Sequence, residues 1–301
     1  MEHRPVMVEA VMSGLVWNPH GTYLDATFGR GGHAQCLLNL IAKDAKLVVL
    51  DRDPEAICFA RHLRASEPRV HVIQGCFGAM STAISSHGFG GFDGILFDCG
   101  VSSPQLDDAR RGFSFQQTGQ LDMRMDPETG VSAAEWLNNA PEREIADVIK
   151  EYGGERNANA IAKSIVQHRP LKCTNQLSQL IIEASTHFDS GKHPATRTFQ
   201  AVRMKVNDEL AELDKGLSQA FELLNVGGRI ATLTFHSLEH RLVRQKFRAL
   251  TQSNVPRGLP LQGDLSGPGR LVVKKAVPSY LETAENPRSR SAMLQIIEKA
   301  R

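Results

Sequence analysis

The stretch Asp25-Ala26-Thr27-Phe28-Gly29-Arg30-Gly31-Gly32-His33, followed by the apolar run Leu47-Val48-Val49-Leu50 and then Asp51, constrains this chain more than any other feature. An acid closing one strand, a glycine-rich turn into a helix and a second acid closing the next strand form the opening of a parallel βαβ unit. The glycines let backbone approach a ligand, the helix start offers free N–H groups, and a carboxylate reaches ribose hydroxyls. A nucleoside-cofactor site is therefore predicted.

Similar runs recur. Segments 22–26, 46–51, 70–74 and 92–98 read as strands between helical stretches, which predicts an α/β fold: a parallel, Rossmann-like sheet with helices on both faces. Asp53-Pro54-Glu55 reads as an N-cap, a proline at the first helical position and a first-turn acid. After Asp98 the pattern becomes helical, with a capping box at Ser132 and Glu135 and apolar faces at Ile161, Ala162, Ile165 and Val166, then at Leu177, Leu180 and Ile181. The expected division is a discontinuous domain of residues 1–105 and 197–301, interrupted by an all-helical insertion, 106–196. A helix over 203–225, capped by Gly227, should feed a strand at 229–235, and runs at 271–274 and 292–297 suggest an antiparallel edge. The Pro- and Gly-rich segment 253–269 reads as an irregular loop.

With 301 residues, 41% hydrophobic and 23% charged, the chain can bury a large core and a smaller second one. No apolar run reaches the roughly 20 residues that span a bilayer, and the start Met1-Glu2-His3-Arg4-Pro5 lacks a signal peptide's order, so a cytoplasmic protein with no membrane partner is expected. Cys36, Cys58, Cys76, Cys99 and Cys173 include no C-x-x-C pair, which points away from a disulfide framework or a zinc site. They are expected to be reduced and mostly buried, and no metal is expected. A net charge of +2 does not by itself indicate nucleic acid.

Gly29-Arg30-Gly31-Gly32-His33-Ala34 satisfies G-x-G-x-x-A, which alone leaves NAD open. Two flanking carboxylates disfavour a pyrophosphate and favour S-adenosyl-L-methionine. Asp51 can accept from both ribose hydroxyls. Asp98 ends the fourth predicted strand and, with Cys99 to Asp108, should face a ligand at the carboxyl ends of the sheet. Phe77 is placed either against adenine or in the core.

These residues, with Arg4-Pro5-Val6, Asp51-Arg52-Asp53-Pro54, Gly100 to Asp107, Arg111-Gly112-Phe113-Ser114-Phe115, Leu121 to Asp126, His193 to Gln200, Phe235-His236-Ser237-Leu238-Glu239 and Asn286 to Ser291, resemble the bacterial 16S rRNA cytidine N4-methyltransferase (MraW) family over nearly the whole chain. The resemblance implies an S-adenosylmethionine methyltransferase fold acting on a cytidine in the decoding region of 16S ribosomal RNA, within the small ribosomal subunit. It implies cofactor contacts at Gly31, Gly32, His33, Asp51, Phe77, Asp98 and Gln105, and RNA recognition by the helical insertion, 106–196. His240 departs from the family, which usually has an acid there.

Methyl transfer to an exocyclic amine needs alignment and an acceptor for an N4 proton. Asp98, Ser102 or Ser103, and the Pro104 carbonyl are candidates, since Ser103-Pro104-Gln105 only partly resembles the acceptor loop of other amino-methyltransferases. Phe113 or Phe115 could stack on the base or belong to the core. An RNA surface is expected from Arg110, Arg111 and Arg197, with Arg156, Arg169, Lys172, Lys192, Arg203 and Lys205, then Lys274, Lys275, Arg288 and Arg290. Competing readings are an NAD-dependent oxidoreductase and a ribosome-assembly factor without activity. The oligomeric state stays open, a homodimer among the options.

Overall fold

The computed structural model describes residues 5–186, 191, 193–252 and 266–301. In chain order, α1 (Val8–Leu15), β1 (Thr22–Asp25), α2 (Gly32–Leu40), β2 (Lys46–Asp51), α3 (Pro54–Ser66), β3 (Val70–Gln74), α4 (Met80–Ser86) and β4 (Phe92–Asp98) build most of a first unit, which runs to Gly100. A second unit, Val101–Glu209, contains α5 (Ser103–Asp107), α6 (Ala133–Asn139), α7 (Glu142–Gly153), α8 (Ala158–Gln167), α9 (Thr174–Ala184) and α10 (Ala195–Val206). The chain then returns to the first unit through α11 (Glu209–Leu223), β5 (Leu224–Thr234), α12 (Ser237–Thr251), β6 (Gly269–Ala276), α13 (Tyr280–Glu285) and β7 (Met293–Lys299).

The first unit is a seven-stranded sheet in the order β3-β2-β1-β4-β5-β7-β6. Strands β1 to β5 pair in parallel, and β7 is antiparallel to both β5 and β6, the edge suggested by the last two apolar runs. Alternation along β2 explains the two covered faces. Leu47 and Val49 point into one apolar cluster, with Leu37 and Leu15, whereas Val48 and Leu50 point into the other, with Leu217 and Ile95. Strand order reverses between β1 and β4, so their carboxyl ends flank the crevice where such sheets take ligands.

The second unit is helical around its own core, which includes Leu137, Ile149, Ile161, Ile165 and Ile181. The capping box at the start of α6 forms as predicted, with Ser132 Oγ accepting from Glu135 N at 3.2 Å and Glu135 Oε2 accepting from Ser132 N at 2.9 Å.

Several expectations need correction. The helix expected over 203–225 is two helices, α10 and α11, parted at Asn207 and Asp208, the latter at φ 50°. Asn207 donates to Met123 O at 2.7 Å and accepts from Met125 N at 2.7 Å, so its side chain pins a loop of the second unit. The insertion is also longer than 106–196: Phe199 and Val202 of α10 lie in the helical core, which carries the unit to Glu209. Gly227 has the left-handed backbone expected of it, φ 85°, but lies within β5, where the register against β4 slips before resuming at Arg229. Of the cysteines only Cys99 is buried; Cys36, Cys76 and Cys173 are half-buried, and Cys58 is exposed. Most of the loop predicted at 253–269 lies outside the described residues, as does Lys192. Among the described residues no helix is long and apolar enough to cross a membrane.

Candidate functional site

The glycine turn ties together the ends of three parallel strands. Thr27 N–H donates to Asp25 Oδ1 at 3.1 Å, and Thr27 Oγ1 accepts from Asp98 N at 2.6 Å. Gly29 N–H donates to Asp51 Oδ2 at 2.8 Å, and the other Asp51 oxygen accepts from Asp53 N at 2.9 Å. The acids at the ends of β1, β2 and β4 thus meet one loop. Asp53 caps α3, accepting from Glu55 N at 3.0 Å, so Asp51 is not spent as the cap. Gly31 sits at φ 74°, with the Phe28 ring so close that a Cβ there would lie 2.7 Å from it. Only glycine meets both conditions without displacement, and it delivers the chain into the N-terminus of α2.

The three carboxylates are not equivalent. Asp25 is 1% exposed and holds the turn from beneath. Burial pushes its carboxyl up to about 7, with Asp98 and Asp51 adding repulsion and His33 pulling the other way. Burial also raises Asp51, against the hydrogen bonds from Asp53 and Gly29. Asp98 keeps 29% of its side chain exposed. Its Oδ2 lies 3.3 Å from His33 Nδ1, and its Oδ1 is a buried acceptor with no hydrogen-bond partner.

His33 Nε2 lies 2.9 Å from Val6 O, which can only accept, so Nε2 carries a proton. Burial works against a charged imidazole here, but the hydrogen bond and charge of Asp98, then the charge of Asp25, override it and raise the His33 pKa. His33 thereby sits between the Val6 carbonyl and the Asp98 carboxylate. Pro5 packs over Gly32, where a Cβ would lie 2.7 Å from it. Thr27, within the predicted loop, was given no role of its own, and the Pro5-Val6 strap was not predicted as part of the site; the Pro-Val pair before α1 was the available signal.

Phe77 follows β3 half-buried, edge-on to Phe97 with ring centroids 5.7 Å apart. At the end of β5, His240 Nδ1 lies 2.5 Å from Thr234 Oγ1, and burial lowers its basicity. This gives it a local structural contact.

In the second unit, Ser102 and Gln105 close a capping box around α5: Gln105 Oε1 accepts from Ser102 N at 2.9 Å, and Gln105 is buried. Ser103 and Pro104 occupy the first turn, half-exposed. The Pro104 carbonyl, expected as a proton acceptor, already accepts from Asp108 N at 2.9 Å. Two expected RNA contacts are buried: Arg111, whose guanidinium donates to Arg124 O at 3.2 Å and Met125 O at 2.8 Å, and Phe113, in the helical core. Arg169 and Arg203 are likewise engaged, on the carbonyls of Leu137 and Ala140 and on Glu209. Arg110 stands 86% exposed beside Asp108, and Arg197 donates to Gly154 O at 3.3 Å. Phe115, not Phe113, reaches toward the surface, stacked on exposed His193 at 4.3 Å.

Among solved structures, an rRNA methylase from Streptococcus thermophilus is similar at 9% identity, with 100% of this chain and 99% of that one covered and a TM-score of 0.41. A Streptococcus mutans protein solved in complex with SAH is similar at 12% identity, with 99% of each chain covered and a TM-score of 0.43. A SAM-dependent O-methyltransferase from Thermotoga maritima is similar at 10% identity, with 100% of this chain and 68% of that one covered and a TM-score of 0.43. The profile of the MraW methylase family matches residues 1–300, essentially the whole chain, and the protein belongs to that family.

Proposed function

We propose that this methylase transfers a methyl group from S-adenosylmethionine to N4 of a cytidine in the decoding region of 16S ribosomal RNA, within the small ribosomal subunit. S-adenosylmethionine is the cofactor, and it supplies an electrophilic methyl on a positively charged sulfur. The observation that carries the reading is the Asp98 carboxylate: one oxygen lies 3.3 Å from His33 Nδ1, and the other is a buried acceptor without a partner, at the strand end where ligands of such sheets bind. A cationic donor fits a rim of carboxylates, whereas a pyrophosphate would be repelled by it.

Each residue has a defined task. Asp51, whose oxygens each take one backbone N–H, keeps acceptor capacity for a ribose diol. The N–H groups of Gly32 and His33 line the helix start, Gly31, whose own N–H donates to Phe28 O at 2.8 Å, lets the backbone come close to the cofactor, and the half-buried Phe77 ring offers a flat face to adenine. Asp98 Oδ1 accepts the proton that N4 must shed as its lone pair leaves conjugation with the ring, and His33 steadies the partner oxygen. Ser103 and Pro104 belong to the acceptor loop, with Pro104 contributing shape, since its carbonyl is occupied, and Gln105 is a cofactor contact. The helical unit, 101–209, recognises RNA through Arg110, Arg197 and Phe115. The cytoplasm follows as the site of action.

Incubating the protein with methyl-labelled cofactor and small subunits that lack the modification, then mapping the product by mass spectrometry, tests the assignment. Label on N4 of one decoding-region cytidine is expected, and it should vanish in Asp98→Asn. Label on another atom or another RNA refutes the substrate.

A further inference from the structure

The methyl-donor reading leaves α11 without a task, yet one stripe of this helix is devoted to the loop that carries Phe77. Glu212, Gly216 and Gln219 stand four and three residues apart, on one face of the helix. Glu212 Oε2 accepts from the Cys76 thiol and, at 3.2 Å, from Gly78 N. Gln219 holds the far side of the same turn, accepting from Ser81 N at 2.8 Å and donating to Gly78 O at 2.5 Å.

Between them, Gly216 leaves room for the aromatic ring. A Cβ at this position would lie 2.9 Å from Phe77 Cδ2, 3.3 Å from the Phe77 carbonyl and 3.3 Å from Phe97. Glycine is the poorest residue for a helix interior after proline, so its place in the middle of α11 runs against local propensity. Close approach of Phe77 accounts for it. The thiol of Cys76 is pushed up to about 11 by burial and by Glu212, which keeps it protonated and donating.

The geometry points to Glu212, Gly216 and Gln219 as positioning residues that fix the 76–81 loop and aim Phe77 at the adenine of the cofactor. This rests on Phe77 being an adenine contact. The clamp acts on binding, not on chemistry, so its signature lies in nucleoside affinity.

S-adenosylhomocysteine binding to the full-length protein, measured by calorimetry, separates the possibilities. Phe77→Ala is expected to weaken binding tenfold or more. Gly216→Ala should weaken it about as much although alanine favours the helix, and thermal stability need not fall. Glu212→Ala should do the same, and Glu212→Gln, which keeps an acceptor oxygen, should restore affinity to within about threefold. In Glu212→Gln, loss of the neighbouring charge should also speed alkylation of Cys76 by iodoacetamide at pH 9 several-fold, read by peptide mass mapping. If Phe77→Ala binds as the wild type does, the adenine reading fails and takes the clamp with it. If Phe77→Ala weakens binding while Gly216→Ala and Glu212→Ala do not, only the clamp is wrong. An unchanged Cys76 alkylation rate would overturn the Glu212 contact itself.

Discussion

The carboxyl edge of the sheet and the helical unit both use polar side chains to fix irregular backbone, but they balance charge in opposite ways. In the helical unit, sheltered charges have partners: half-buried Arg124 pairs with Asp122 at 2.7 Å, Arg203 grips both oxygens of buried Glu209, and buried Arg111 lies on two carbonyls. Burial would raise the Asp122 carboxyl, and Arg124 outweighs it, so the net direction is down. At the sheet edge, three acids meet one loop, with His33 between Asp98 and the Val6 carbonyl, and Asp25 is driven up to about 7. The first arrangement serves stability. The second gathers unmatched carboxylates at the strand ends, a pattern typical of sites tuned for binding rather than for the fold.

The sharpest way to break this contrast is to neutralise Asp25. An acid whose carboxyl is raised in the folded state gives stability that is complete below its unfolded pKa and is lost as pH climbs through the folded one. With a folded value of about 7, Asp25 should cost the wild type on the order of 4 kcal/mol between about pH 4 and pH 8. Asp25→Asn keeps the oxygen that accepts from Thr27 N and removes the titration. Urea unfolding at pH 5 and pH 8 should show the variant gaining on the wild type as pH rises. Parallel curves would mean that the edge carries no stored repulsion.

Next in size is a pair of arginines in the helical unit. Arg111→Ala strands two carbonyl acceptors and opens a gap in buried structure, and about 3 kcal/mol of stability should go with it. Arg110→Ala touches an exposed ion pair, for which 0 to about 1 kcal/mol is the usual range. In RNA binding the order should invert, with Arg110→Ala weakening affinity while leaving the melting temperature in place. If Arg110→Ala changes neither, the RNA surface lies elsewhere.

The same contrast explains what the sequence revealed. The sheet was legible because its strands are apolar runs closed by acids, and the Asp25, Asp51 and Asp98 positions follow from strand ends alone. Asp25 as a buried support was not legible, because an exposed and a buried aspartate look alike until the turn is built over one of them. The basic residues of the helical unit were the least legible. A guanidinium on a carbonyl, as in Arg111 and Arg169, and one facing solvent, as in Arg110, share a composition, and only folding assigns them. The break between α10 and α11 was hidden for a related reason: Asn207 leaves helical duty for tertiary partners some 80 positions earlier in the chain.

The narrowest comparison is between two glycines with nearly the same φ, one in each region. Gly31 and Gly130 have φ 74° and φ 75°. Alanine at either pays the left-handed penalty of about 1 kcal/mol. At Gly130 nothing lies within 4 Å of the added methyl, so the cost ends there, and cofactor affinity should be unchanged. At Gly31 the methyl meets the Phe28 ring, itself buried, so the turn must shift at the start of α2, where the cofactor is proposed to bind. Overpacking adds about 1 to 3 kcal/mol, and calorimetry with S-adenosylhomocysteine should show affinity falling between tenfold and a hundredfold in Gly31→Ala alone. Equal affinity in the two variants would mean that the turn tolerates displacement, and that the ligand is held by side chains rather than by the backbone the glycines expose.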